Sequence, residues 1–258
     1  MPSYKPVIYR TRFAKAIVAE VALPEKQTGK ILILAQGFPS VPSKRSVLEF
    51  LVGEGYTVIF PRYRGTWESD GYFLEESPTQ DIKLVVTELV RQKKFWCSFS
   101  QVWIPLRVKH FFIIGSSFGG PAAAWLSQHS LVKKVALLSP VLDWEKEGEV
   151  EPFAELIRFA RDGFGMATRL RSTRDWYKLR QDKNFYSFPP SLTPAERQKI
   201  FLIHCHDDTV VPIGPARDMI KNKNIRYHYF KPQGGHLGIG HITRLFYWHK
   251  IKNFFETK

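Results

Sequence analysis

Ser117 stands at the centre of Gly115-Ser116-Ser117-Phe118-Gly119, a glycine-x-serine-x-glycine spacing. A serine hydroxyl is barely ionised near neutral pH. It becomes a nucleophile only where a histidine takes its proton and a carboxylate orients that histidine. Both residue types arrive downstream, each after an apolar run: "CHDDTVVP" carries Asp207 and Asp208, and "KPQGGHLGIG" carries His236. Together they could support attack on an ester or amide carbonyl, with release of the acyl group by water.

Such chemistry needs a scaffold that brings three distant residues together. Phe111 to Ile114 supplies an apolar run before the serine, and Pro121 with three alanines follows it. This order predicts a strand, a tight turn and a helix with proline in its first turn. A serine at the apex of such a turn leaves no room for side chains two residues away on either side, which accounts for the glycines. Ser117 is the apex and Ser116 a packing residue.

Further short apolar runs occur at 30–35, 56–60, 135–138, 200–203 and 226–230, besides 110–114. Helical stretches are predicted at 43–53, 79–93, 119–129, 215–221 and 242–255. Buried parallel strands alternating with helices give this pattern, so the class is α/β. Segments 6–10 and 13–23 read as a hairpin-like pair at one edge.

Serine, aspartate and histidine in this chain order resemble the α/β-hydrolase family, and His204-x-x-x-Asp208-x-x-Val211-Pro212 is similar to its His-Gly-x-x-Asp-x-x-Val-Pro segment. That register picks Asp208 over Asp207. "PRYRGTWESDG" is similar to a loop of the esterase, dipeptidyl-peptidase-like and dienelactone-hydrolase-like branch. Arg64, Gly65, Ser69 and Gly71 match it, whereas Arg62 and Trp67 replace the usual aspartate and glycine. Arg64 in a glycine turn is equally able to brace backbone carbonyls. The resemblance implies an oxyanion hole made by the backbone N–H groups of Phe118 and Phe38, the second in "AQGFPS", where Gln36 replaces a common histidine. It also implies one domain over 1–258, a mostly parallel central sheet with helices on both faces, and a helical lid inserted at 143–198.

Other readings compete at single positions. Asp143 is a runner-up acid, and His241 a runner-up base that reads more simply as a capping residue. His204, His206 and Asp208 resemble part of a metal-ligand pattern, but Thr209 stands where its last histidine belongs. Cys205 reads as a packed thiol. No cofactor or metal is expected.

The chain has 258 residues, 44% hydrophobic and 24% charged, enough to bury a sizeable core. Lys and Arg number 38 against 24 Asp and Glu, a net charge of +14. The basic residues are scattered and form no nucleic-acid module, so no nucleic-acid partner is expected. With two distant cysteines, no secretory leader pattern and no transmembrane run, a cytoplasmic protein is expected.

Two segments interrupt the alternation of strands and helices. The basic, aromatic stretch 93–109 could cover a sheet edge or form a partner or membrane patch. The long connection between Pro140 and Lys199 has room for the lid; in it Phe153, Leu156, Ile157 and Ala160 share a helical face, and 169–183 is strongly basic. Its apolar residues suggest an aromatic or acyl-bearing small-molecule ester, and its charge an anionic one. Carboxylesterase activity is therefore the expected reaction. Peptidase, amidase or acyltransferase activity on the same three residues is the near alternative, and a non-catalytic scaffold binding a partner through the basic lid is the alternative of a different kind.

Overall fold

The computed structural model describes residues 5–164 and 167–257. Eight strands form one sheet: β1 (Ile8–Phe13), β2 (Ile17–Ala22), β3 (Lys30–Ala35), β4 (Thr57–Pro61), β7 (His110–Ser116), β8 (Val132–Leu138), β9 (Ile200–Cys205) and β10 (Tyr227–Lys231). Their order is β1-β2-β4-β3-β7-β8-β9-β10. β1 and β2 run antiparallel, and everything from β4 to β10 is parallel.

The central strands are apolar on both faces because both are covered. Ile31, Ile33, Phe111 and Ile113 enter one buried cluster, while Leu32, Leu34, Phe112 and Ile114 enter the other. This is the period-two alternation of a strand sandwiched between helices. The first cluster receives α2 (Pro78–Gln92), α3 (Gly120–Leu126) and α7 (Gly214–Lys223), and the second α1 (Arg45–Gly53) and α8 (Leu245–Glu256). The predicted helices are present with ends shifted by at most three residues. Helix α2 begins at Pro78 because Ser77 caps it by accepting from Thr79 N–H at 3.3 Å, with proline in the first turn.

Segment 93–109 contains a separate two-stranded ribbon, β5 (Lys94–Cys97) and β6 (Val102–Pro105). It docks beside β1, where Ser98 N–H donates to the Arg10 carbonyl at 2.8 Å. Between β8 and β9 lie three helices: α4 (Phe153–Phe164), α5 (Arg174–Gln181) and α6 (Pro194–Arg197). Buried aromatic side chains and hydrogen bonds fasten this connection to the body. Trp125 Nε1 donates to Ser187 O at 2.7 Å, and within the connection Trp144 Nε1 donates to Tyr186 O at 2.8 Å. Arg169 donates to the carbonyls of Trp67 and Ser69.

Candidate active site

Ser117 follows the last residue of β7 and opens a single 3₁₀ turn, Ser117–Gly119, that leads into α3. Its φ is +49°, a left-handed conformation that a non-glycine residue adopts only under constraint. The neighbouring glycines supply the clearance. A Cβ on Gly115 would stand 2.5 Å from Ala123 Cβ, and one on Gly119 would overlap the Ala35 carbonyl oxygen. Strand β7, the turn and α3 therefore close against the end of β3 only if both positions lack a side chain.

The loop after β3 lies against the same turn. A Cβ on Gly37 would come 3.3 Å from Ser117 Cβ. Among the described residues, Phe38 N–H donates no hydrogen bond, and its ring stacks on Phe73 with centroids 4.5 Å apart. Phe118 is buried, and its N–H falls in the first turn of the 3₁₀ helix, where donors lack an intrahelical partner. Two buried tyrosines fix the adjoining backbone: Tyr63 Oη donates to Gln36 O at 2.9 Å and Tyr186 Oη to Phe118 O at 2.5 Å. Gln36 itself accepts from the Ser40 hydroxyl through Oε1.

The two aspartates after β9 divide their work. Asp207 accepts from Gly234 N–H at 3.0 Å and Gly235 N–H at 2.9 Å, holding the glycine loop ahead of His236. Asp208 accepts from Val210 and Val211 N–H through Oδ1 at 3.0 and 2.9 Å, and its Oδ2 lies 2.9 Å from His236 Nδ1. His204 Nε2 lies 3.3 Å from the same oxygen and 2.9 Å from Val211 O. Because both neighbours are acceptors, that nitrogen carries the proton. Burial by itself would raise the Asp208 carboxyl, but hydrogen bonds from His204 and His236, the charge of His236 and Val211 N–H outweigh it. They hold the group well below the usual carboxylate range.

The structure thus brings Asp208 and His236 into contact and sets the Phe38 loop against Ser117. Among the described residues, no hydrogen bond joins Ser117 Oγ to His236. A cavity of about 50 Å³ opens over Ser117, lined among others by Phe38, Trp144, Phe153, Leu156 and Glu151. It adjoins a larger groove of about 880 Å³ between α5, α7 and the loop after β8, and Asp143, Trp144, Lys146 and Glu147 line both. Burial raises the Glu151 carboxyl against the pull of His236.

The remaining candidates take other parts. Asp143 Oδ1 accepts from Glu145 N–H at 2.9 Å, and His241 Nδ1 accepts from Gly238 N–H at 3.0 Å. Cys205 is fully buried. His206 turns to Arg217, 2.7 Å away, and among the described residues no group of three or more His, Cys, Asp and Glu is arranged to hold a metal. In the "PRYRG" loop the carbonyl brace is Arg62, not Arg64. Arg62 is buried and donates to Pro42 O through Nε at 2.9 Å, while the Arg64 side chain faces Asp81. Tyr63 and Tyr186 are the residues that sequence reasoning did not place around the site; His204, read there as part of the segment that selects Asp208, also contacts its carboxylate.

No protein-family model matches the chain, and no curated protein sequence matches it. Solved structures do. An esterase of Pyrococcus furiosus superposes with a TM-score of 0.63 at 18% identity, over 98% of this chain and 90% of that one. A 2-hydroxy-6-oxo-6-phenylhexa-2,4-dienoate hydrolase of Rhodococcus gives 0.63 at 14% identity, over 98% and 99%. An acylaminoacyl peptidase of Pyrococcus horikoshii gives 0.56 at 17%, over 98% of this chain but 41% of its own.

Proposed function

Since the chain has the α/β-hydrolase fold, we propose that it is a serine hydrolase of carboxylic esters, with Ser117 as nucleophile, His236 as general base and Asp208 as orienting acid. The observations that support this reading are the buried Asp208 carboxylate 2.9 Å from His236 Nδ1 and a serine held at φ +49° directly after β7. Paired in this way, His236 presents Nε2 as a proton acceptor. It takes the Ser117 proton as Oγ attacks the carbonyl, then delivers that proton to the departing alcohol. The tetrahedral oxyanion is held by Phe38 and Phe118 N–H, donors already fixed in place before reaction. Water, activated by the same histidine, releases the acid and restores Ser117.

In this reading the chain is one domain, and 143–198 is its cap. Trp144, Phe153 and Leu156 give the cavity an aromatic and aliphatic lining suited to an apolar acyl group on a small-molecule ester. The anionic substrate suggested by the basic segment is not favoured. Asp143, Glu147 and Glu151 line the cavity against Lys146 alone, although Arg180 pairs with Glu147. Those carboxylates support a second reading on the same machinery, hydrolysis of an amine-bearing ester or amide.

A fluorophosphonate probe tests the assignment. Stoichiometric labelling that maps to Ser117 and is absent from Ser117→Ala is expected, with parallel loss of short-chain nitrophenyl ester hydrolysis. Labelling that survives the substitution overturns it. Faster turnover of an aminoacyl nitroanilide than of its neutral acyl counterpart would establish the second reading.

A further inference from the structure

The β5–β6 ribbon has one face explained by the fold and one that is not. Phe95 and Cys97 point inward and are buried, and Tyr9 meets Phe95 edge-on with centroids 5.7 Å apart. That inner face suffices to cover the β1 edge. On the outer face Trp96 lies opposite Trp103 in the pairing register, their rings 5.6 Å apart, and Lys94 Nζ stands 4.5 Å from the Trp103 ring centroid. Trp96 and Trp103 are 39% and 47% exposed, and Phe99 in the connecting turn is 94% exposed.

Charge accompanies this aromatic surface. Segment 93–109 contains Lys93, Lys94, Arg107 and Lys109, all exposed, and no acidic residue. A protruding turn tipped by phenylalanine, with two tryptophans behind it and lysines at its base, matches the layering of a lipid interface. Apolar tips enter the acyl boundary, amphipathic indoles sit among headgroups, and ammonium groups meet lipid phosphates and anionic headgroups. A protein-binding surface is instead depleted of lysine at its centre, and single-stranded nucleic acid is held in a groove, not on a projecting turn.

We propose that the β5–β6 hairpin docks the protein on an anionic phospholipid surface, inserting Phe99 between headgroups with Trp96 and Trp103 at their level. The inference does not depend on the reaction assigned to Ser117. Four strand spacings, on the order of 20 Å, separate β1 from β7 in the sheet. Docking at the β1 edge therefore contacts the protein four strands away from the one that leads into Ser117.

Sedimentation of the full chain with phosphatidylcholine vesicles, with and without phosphatidylserine, tests this. Binding to the mixed vesicles is expected, with weak binding to phosphatidylcholine alone, a decline as salt rises, and a loss of about tenfold or more in Phe99→Ala and in Trp96→Ala/Trp103→Ala. Phe99→Ala should keep the wild-type melting temperature and nitrophenyl ester turnover in buffer, which separates docking from folding and from chemistry. Equal sedimentation with and without vesicles overturns the proposal, as does binding that Phe99→Ala leaves intact. Concentration-dependent self-association in buffer that Phe99→Ala abolishes also overturns it, by making a second copy the occupant.

Discussion

The Tyr186 hydroxyl donates to the Phe118 carbonyl across 68 residues of sequence, at 2.5 Å, and both residues are buried. Tyr63 does the same for Gln36, one peptide before Gly37. The two backbone segments proposed to hold the oxyanion are thus each tied by a phenol that touches no reacting atom. Burial raises both phenols well above their ordinary value, so they remain donors throughout the physiological range.

Tyr186→Phe is expected to lower kcat on a nitrophenyl ester by about tenfold, the worth of one buried hydrogen bond, with KM within about twofold. The ring stays to fill its place, so the effect falls on how well the Phe118 segment is held. Steady-state kinetics check this. An unchanged kcat would show that the turn keeps its shape without the phenol.

His204 is a positioning residue for Asp208. Its Nε2 donor is shared between Val211 O and Asp208 Oδ2, and among the described residues its Nδ1 has no hydrogen-bond partner. A glutamine amide can occupy the Nε2 position and a leucine cannot. His204→Leu is therefore expected to reduce kcat by about 10- to 100-fold through the lost charge-assisted hydrogen bond, and His204→Gln to recover most of it. A purely packing role for His204 would give the opposite ranking, because leucine fills apolar volume better than an amide does.

Much of this arrangement is legible in the sequence because it is written locally. Residues 31–35 are apolar throughout, since β3 is buried on both faces beyond the exposed Lys30, and Gly115 and Gly119 flank Ser117 because the turn has no space for a Cβ. The choice of Asp208 over Asp207 follows from its register after His204, and the structure gives Asp207 the separate task of holding Gly234 and Gly235. Tyr186 is not legible in the sequence because it lies in an aperiodic stretch and its partner is fixed only by tertiary packing. Strands β5 and β6 escape sequence patterning for another reason. Each has four residues, β6 ends in proline, and exposed Trp96 and Trp103 break the apolar-in, polar-out alternation that marks a strand.

Asp81 gives stability a pH dependence of its own. It is 2% exposed, accepts from Arg64 N–H at 2.8 Å, and burial pushes its carboxyl up to about 6 despite Arg64. In the unfolded chain the group titrates near its ordinary value of about 3.9. Between those values the folded protein binds more proton than the unfolded one, so the group's contribution is fully present below about 4 and is lost as pH rises through about 6. Two units correspond to at most about 3 kcal/mol. Asp81→Asn keeps an acceptor for Arg64 N–H without the charge. Relative to wild type, the variant should therefore gain stability as pH rises from about 4 to about 7 and then hold level. Urea unfolding of the two proteins across that range measures the difference, and a constant offset would show that Asp81 titrates as an ordinary carboxylate.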